Sequence, residues 1–140
     1  MPQRNMSEIV NRRNPVTLPP DASVKDACRL MRHRRIGAIP VTDGDGKLVG
    51  LFSGRDAVTR VLAEALDPER TCIGDVMTKR PDTLGPQARA IDALRLMQDG
   101  GFRHVPIADG EKLVGIVSFA DFNGLERARL DEETGFWEIM

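Results

Sequence analysis

The fold is decided by PVTLPPDASVKDACRLMRHRRIGAIPVTDGDGKLVGLFSGRD, residues 15–56, because the chain contains this stretch a second time as PDTLGPQARAIDALRLMQDGGFRHVPIADGEKLVGIVSFAD, residues 81–121. Pro15 returns as Pro81, an offset of 81 − 15 = 66, and one deletion in a turn then reduces the offset to 65. An internal repeat of this length predicts two similar structural units. Neither unit is large enough to bury all of its apolar faces alone, so we expect the two to pack together.

The bulk composition describes an ordinary globular protein. Its 140 residues are 41% hydrophobic and 29% charged, with a formal net charge of −1, so no broad positive field would attract nucleic acid or a membrane surface. The longest apolar runs, such as residues 48–52, are too short to span a bilayer, and the N-terminal residues lack the apolar stretch of a signal peptide. We therefore expect a cytoplasmic protein with no membrane partner, and nucleic acid is an unlikely ligand.

Each repeat predicts the element order β, α, β, β, α. In the first copy, residues 15–18 are β-prone and stop at two prolines, and a helix capped by Ser23 follows. A hairpin then turns on Gly44 and Gly46, and a second helix begins at Ser53. The first helix places Val24, Ala27, Cys28 and Met31 on one apolar face, and the second helix places Val58, Val61, Leu62 and Ala65 on another.

The repeat pattern divides the chain into three segments. Residues 6–68 form the first repeat with its lead-in, residues 69–130 form the second, and residues 131–140 are a tail. The tail carries acidic residues followed by Phe136 and Trp137, and it is either a helix packed on the body or an apolar contact for another subunit.

A seven-residue signature closes the hairpin of each copy. It reads GLFSGRD at residues 50–56 and GIVSFAD at residues 115–121. Both copies resemble the nucleotide-contacting motif of the cystathionine β-synthase (CBS) domain, and the likeness extends over about residues 6–130. It implies a tandem CBS pair, or Bateman module, in a stand-alone protein of the α+β class. The two βαββα repeats would then pack with pseudo-two-fold symmetry around a ligand cleft.

The resemblance also assigns site residues. It implies that Asp56 and Asp121 accept hydrogen bonds from ribose hydroxyls and that Ser53 and Ser118 lie near the phosphate or ribose. In such domains each repeat has a central proline, here Pro40 and Pro106. The first strand and the segment before this proline also line the cleft, where backbone groups contact the nucleotide base and basic side chains contact phosphate. The further nucleotide-binding candidates are thus Thr17, Arg35, Ile39, Pro40, Arg55, Thr83, Arg103, His104, Val105 and Pro106.

Two alternatives stay open for the signature. Serine followed by aspartate three residues later is also a capping box, which satisfies free N–H groups at a helix start and requires no ligand. The two roles can coexist, because the same helix start carries positive potential. The second copy also has Phe119 and Ala120 where the first has Gly54 and Arg55, so we expect its site to lack one positive charge.

No catalytic machinery is visible in the sequence. There is no P-loop, only two histidines occur, and no His, Cys or carboxylate set has metal-ligand spacing. Aromatic residues are 4% of the chain and tyrosine is absent, so a stacking platform for single-stranded bases is missing. We therefore predict no catalytic residue, no metal site and no enzymatic activity.

The functional prediction is a regulatory ligand sensor. The resemblance implies binding of an adenine nucleotide or adenosyl compound, namely AMP, ADP, ATP or S-adenosylmethionine (SAM), as a signalling ligand with no catalytic cofactor. It further implies a homodimer formed through the helices and an unidentified protein partner that receives the signal. The alternative is a dimerisation or scaffold module whose ligand sites are vestigial.

Overall fold

The computed structural model describes residues 4–10 and 15–129 with their side chains, and the backbone alone of residues 130–134. It contains both helices and strands, which confirms the predicted α+β class. The helices in chain order are α1 (Met6–Val10), α2 (Val24–Arg34), α3 (Gly54–Asp56, continued as a π-helix over Ala57–Leu62), α4 (Ile73–Val76), α5 (Ala90–Gly100) and α6 (Gly124–Thr134). The strands are β1 (Ala38–Thr42), β2 (Leu48–Ser53), β3 (Thr78–Lys79), β4 (His104–Asp109) and β5 (Lys112–Ser118).

The described residues form two compact units. The first-repeat unit comprises residues 15–82 and 111–113, and the second-repeat unit comprises residues 4–10, 83–110 and 114–134. In the first-repeat unit, β1 pairs antiparallel with β2, and β3 pairs with the other edge of β2. In the second-repeat unit, β4 pairs with β5. The predicted hairpins are therefore confirmed, and Gly46 and Gly110 turn them with φ of 80° and 63°.

The predicted first strand of each repeat is shorter than expected. It is reduced to a single parallel bridge, from Leu18 to Val41 in one unit and from Leu84 to Ile107 in the other. Prolines at 19, 20 and 86 flank these positions, and a proline nitrogen donates no hydrogen bond with which a longer ladder could continue.

The apolar face of α2 is confirmed. Val24 and Ala27 are fully buried, and Met31 is nearly so. The apolar face predicted for the helix after Ser53 is mostly exposed. Of its apolar residues only Val61 is buried, whereas the side chains of Val58 and Leu62 are 56% and 76% exposed. The segment Ala57–Leu62 is π-helical, and Ala65 lies beyond its end.

Each lead-in segment packs against the hairpin of the other sequence repeat. Val10 of α1 lies against Gly115 of β5, and Met77, which follows α4, lies against Gly50 of β2. Val10 and Met77 thus occupy equivalent positions in the two lead-in segments, 77 − 10 = 67 residues apart. A Cβ added at either glycine would come within 2.9 Å of the lead-in side chain, so a larger residue would have to displace that side chain. The core of the second-repeat unit accordingly includes Met6, Ile9 and Val10.

The compact units therefore differ in composition from the segments read off the sequence. Helix α1 falls within the predicted segment 6–68 but belongs to the second-repeat unit. Three apolar residues in a five-residue helix carry no local signal for which core they join. The boundaries 6–68, 69–130 and 131–140 stay a prediction about the sequence repeats. Phe136 and Trp137 of the tail lie outside the described residues.

Candidate functional site

The first junction is the turn from β2 into α3, residues 53–56. The Ser53 N–H donates to Asp56 Oδ2 at 2.9 Å, and the Asp56 N–H donates to Ser53 Oγ at 3.1 Å. These two bonds form a capping box, as one of the two sequence interpretations predicts. Asp56 is only 7% exposed, so its carboxylate is a buried charge that needs further partners.

Arg60 supplies positive charge beside this carboxylate. Its Nε lies 3.7 Å from Asp56 Oδ1, and its terminal nitrogen donates to the carbonyls of Met77 at 2.8 Å and Val76 at 3.3 Å. Arg60 therefore connects the junction to the lead-in segment of the unit. The sequence analysis missed this residue, although an Asp followed by Arg at i, i+4 on a helix is a recognised pairing signal.

The second junction is the turn from β5 through a short 3₁₀-helix, residues 118–121. Asp121 Oδ2 accepts from the Ser118 N–H at 2.7 Å and from Ser118 Oγ at 3.3 Å. The chain then extends through the buried Phe122 before α6 begins. Asn123 and Glu126 cap α6 reciprocally, each backbone N–H donating to the other side chain at 2.9 Å. The two junctions thus share their first turn and differ after it.

In each unit, one backbone hydrogen bond joins the junction to the segment that precedes the proline-containing strand. The Gly54 N–H donates to the Gly37 carbonyl at 3.0 Å, and the Phe119 N–H donates to the Arg103 carbonyl at 2.9 Å. Both acceptors precede the strand that carries the central proline. The structure therefore brings each predicted pre-proline segment next to the signature of its own repeat.

The second junction differs from the first in having two guanidinium groups over one aromatic ring, that of Phe119. The Arg103 and Arg127 guanidinium carbons lie 4.7 Å and 4.3 Å from the centroid of Phe119. Arg127 also donates to the Phe119 carbonyl at 2.9 Å. The sequence predicts one positive charge fewer here, because Ala120 replaces Arg55. That prediction counted only the signature, and other elements bring arginines to this junction.

Arg4 ties the lead-in segment to the second junction. Its guanidinium contacts both carboxylate oxygens of Glu126, at 3.1 and 2.6 Å, and donates to the Asp121 carbonyl at 3.0 Å. Burial alone would raise the pKa of Glu126, but hydrogen bonds from Arg4 and the Asn123 N–H, with the Arg4 charge, hold that pKa below its ordinary value. No local signal links residues this far apart in sequence, and the sequence analysis missed both.

His104 lies at the start of β4 and is half-buried. Burial lowers the pKa of its imidazole, and the charge of Arg103 lowers it further against the opposing effect of Asp121. The neutral form of His104 is therefore favoured near neutral pH, so its nitrogens act as hydrogen-bonding groups.

The remaining predicted site residues divide into buried and exposed sets. Ile39, Pro40, Val105 and Pro106 are fully buried core residues, so only their backbone is available to a ligand. The carbonyls of Pro40 and Pro106 already accept from the N–H groups of Leu18 and Leu84. Thr17, Thr83, Arg35, Arg55 and Arg103 are exposed.

Two searches of the described residues bear on other functions. Within residues 4–10 and 15–129, no group of three or more His, Cys, Asp or Glu side chains is placed to hold a metal ion. In the same part of the chain, no helix combines the length and the apolar character needed to cross a lipid bilayer.

The hairpin and the Ser–Asp junction occur in both repeats, and a family profile matches each repeat separately. The profile of the CBS domain matches twice, over residues 6–63 and 73–124. The chain belongs to the CBS domain family. It is a tandem CBS pair, a regulatory kind of module, and the resemblance inferred from the two signatures is confirmed.

Two curated relatives and one solved structure illustrate the similarity. The chain is 33% identical over 122 residues to the CBS domain-containing protein CBSCBSPB3 of Arabidopsis thaliana, covering 86% of this chain but 22% of that protein. It is 34% identical over 105 residues to the CBS domain-containing protein YhcV of Bacillus subtilis, covering 75% of this chain and 74% of the relative. The CBS domain protein PAE2072 of Pyrobaculum aerophilum, complexed with AMP, superposes with a TM-score of 0.81 at 25% identity, covering 92% of this chain and 99% of that one.

The chain thus spans about a fifth of the length of the plant relatives that it matches.

Proposed function

We propose that this CBS pair is a regulatory sensor that binds an adenine nucleotide or adenosyl compound and passes the change to a protein partner. The observation that supports it most strongly is the doubled Ser–Asp junction. In each, a carboxylate sits at a strand-to-helix turn with one oxygen, Oδ2, accepting from a backbone N–H. The AMP complex of a structural neighbour supports an adenosine compound as the ligand.

The chemistry of the ligand follows from the carboxylates. An ionised carboxylate only accepts hydrogen bonds, and its two oxygens offer more acceptor positions than one capping bond uses. A ribose presents two adjacent hydroxyl donors, so Asp56 and Asp121 would each hold a ribose without a proton transfer. Capping and ribose binding therefore combine in one residue, with the cap fixing the orientation of the side chain.

The proposed binding residues are those assigned by resemblance. Ser53 and Ser118 would contact phosphate or ribose, and Arg35, Arg55, Arg103 and His104 would contact phosphate. Thr17 and Thr83 would line the clefts, and the backbone of Ile39, Pro40, Val105 and Pro106 would contact the adenine base. Guanidinium groups suit phosphate because their planar fork matches two oxygens.

The module would act without catalysis of its own and as a homodimer in the cytoplasm. Exposed apolar side chains on the π-helical segment, Val58 and Leu62, support a helix-mediated dimer, since burying them removes apolar surface from water. Binding would signal by favouring one arrangement of the pair over another, which requires that the ligand bind the two arrangements with different affinity.

A thermal-shift panel tests the proposal. AMP, ADP, ATP and SAM, each with and without magnesium, should include at least one compound that raises the melting temperature, because a ligand that binds only the folded state stabilises it. Asp56→Asn and Asp121→Asn should reduce the shift. Asp43→Asn is the matched control, because Asp43 caps backbone N–H groups of Asp45 and Lys47 in a hairpin turn instead of a junction.

One observation favours a second candidate, a dimerisation scaffold with vestigial sites. Both signature carboxylates already cap their own turns, so their presence needs no ligand. The same panel separates the two functions. A scaffold predicts that no adenosine compound shifts the melting temperature of the wild type or of either aspartate variant.

A further inference from the structure

A basic patch covers the C-terminal end of α2. It consists of Arg29, Arg32, His33, Arg34 and Arg35, all of which are exposed. Arg29 and Arg32 are one turn apart on the same face, and Lys25 lies one turn earlier on that face. Like charges at this spacing repel each other, so helix formation alone does not favour the arrangement.

The basic patch is not needed to end the helix. Cations in a last turn commonly complement the helix dipole, which is the simplest explanation for them. Helix α5 of the second repeat has the same length, 11 residues, yet its last turn contains no basic residue. Both helices end with the same bond, from the N–H of the residue after the helix to Met31 O in α2 and Met97 O in α5.

The backbone at Arg35 points the same way. Arg35 adopts a left-handed conformation with φ of 56°, where the second repeat has Gly101 with φ of 71°. Glycine takes this conformation without steric penalty, whereas a residue with a Cβ does not. The first repeat therefore retains an arginine where glycine would be better for the fold, which indicates a use for the side chain outside folding, a use that the proposed phosphate contact and the basic patch would both supply.

A carboxylate of the chain itself pairs with the first basic residue on this face. Lys25 Nζ donates to Glu69 Oε1 at 2.7 Å, so a carboxylate already occupies the first basic position. Among the described residues, none of the ion pairs identified involves Arg29, Arg32 or Arg34. One basic position of the face is thus neutralised by a carboxylate, and the two positions that follow it remain available.

We propose that the basic patch docks an acidic segment of a protein partner, with carboxylates on Arg29 and Arg32 in the manner of Glu69 on Lys25. Arginine favours carboxylates because two parallel hydrogen bonds form at once. Lipid is disfavoured, because the apolar side of α2 is buried in the core and cannot enter a bilayer. Nucleic acid is disfavoured by the net charge of −1 and the absence of aromatic residues in the basic patch. The proposal does not depend on nucleotide binding.

Fluorescence anisotropy with a short labelled peptide of alternating Glu and Gly tests this docking, using the full chain. The variant Arg29→Gln/Arg32→Gln keeps good helix formers and removes both free cations. We expect about threefold weaker peptide binding for each arginine removed, and about tenfold for both, with affinity falling as salt rises. Arg70→Gln/Lys79→Gln is the matched control, since it removes two exposed cations elsewhere in the same unit and should leave binding unchanged.

The alternative occupants are measured in parallel. Duplex DNA and phosphatidylserine vesicles are titrated under the same conditions, and a Gln and Gly peptide controls for nonspecific binding. Binding of the Glu peptide that only the patch variant weakens supports the proposal. No binding of the Glu peptide, equal weakening by both double variants, or stronger patch-dependent binding of DNA or vesicles overturns it. A thermal shift with AMP on the patch variant reports the nucleotide site separately.

Discussion

The two junctions share a backbone and differ in the side chains built on it. Gly54 N donates to Gly37 O at the first, and Phe119 N donates to Arg103 O at the second, at nearly the same distance. The first junction therefore has two glycines where the second has an arginine stacked on a phenylalanine. Duplication has kept the turn that orients the aspartate, while the surroundings of the aspartate have diverged.

Arginine also connects each junction to its lead-in segment, but from opposite directions. In the first-repeat unit, Arg60 reaches from the junction helix to the carbonyls of Val76 and Met77. In the second-repeat unit, Arg4 reaches from the lead-in to the Asp121 carbonyl and to Glu126. The comparison indicates that coupling between lead-in and junction matters in both units, whichever element supplies the cation.

The largest expected effect is at Phe119. Phe119→Ala removes a half-buried ring together with two guanidinium contacts, and should lower the free energy of unfolding by about 3 kcal/mol. Phe119→Leu keeps most of the apolar volume and should recover about half of this loss. Urea denaturation measures both. A Phe119→Leu variant as stable as wild type would show that the stacked arginines contribute nothing beyond burial.

The signature glycines should differ in their tolerance of a methyl group. A Cβ at Gly115 would meet the stiff, β-branched Val10, whereas a Cβ at Gly50 would meet the flexible end of Met77. We expect Gly115→Ala to cost about 2 kcal/mol and Gly50→Ala about 1 kcal/mol. Denaturation curves of the two variants give the comparison, and a larger loss for Gly50→Ala would contradict the packing described for the lead-ins.

Arg35 and Gly101, the residues with positive φ that end α2 and α5, can be exchanged in two reciprocal variants. Gly101→Arg should destabilise the second-repeat unit by about 1 kcal/mol, because Arg acquires a positive φ there. Arg35→Gly should be neutral or stabilising by up to about 1 kcal/mol. Thermal denaturation of the pair is sufficient. A clear loss of stability in Arg35→Gly would mean that the Arg35 side chain is needed for folding, which would weaken the docking role of the basic patch.

The smallest effect is a pH dependence of stability expected at the second junction. The pKa of Glu126 is lowered in the folded protein, so its contribution is complete above the unfolded value and fades as pH falls through the folded one. Arg4→Gln should lower stability by up to about 1 kcal/mol near neutral pH. Denaturation over a pH series should show the gap between wild type and variant narrowing in acid. A gap that stays constant with pH would exclude the ion pair as its cause.

Local signals in the sequence predicted the parts of the fold that local interactions determine. The buried face of α2, both hairpins and both capping boxes follow from spacing and turn residues, and the structure confirms them. The exchange of lead-ins was not predictable, because α1 has no feature that distinguishes one repeat core from the other. The π-helical geometry of residues 57–62 was not predictable, since the sequence of this segment has ordinary α-helical spacing.

The candidate site divides in the same way. The signatures identified Ser53, Asp56, Ser118 and Asp121 and the turns that hold them. Arg4 and Arg127 depend on contacts with residues distant in sequence or beyond a break in the helix, and only the folded chain reveals them. Arg60 was within reach of sequence reasoning through its spacing from Asp56.

Isothermal titration with AMP and with 2′,3′-dideoxy-AMP tests the ribose assignment most directly. Wild type should bind AMP and should bind the analogue, which lacks both hydroxyls, at least about tenfold more weakly, because charge-assisted hydrogen bonds are lost. Asp56→Asn/Asp121→Asn should bind AMP as weakly as wild type binds the analogue, with a melting temperature close to that of wild type. Equal affinity of wild type for the two compounds, or undiminished AMP binding by the double variant, would contradict the assignment.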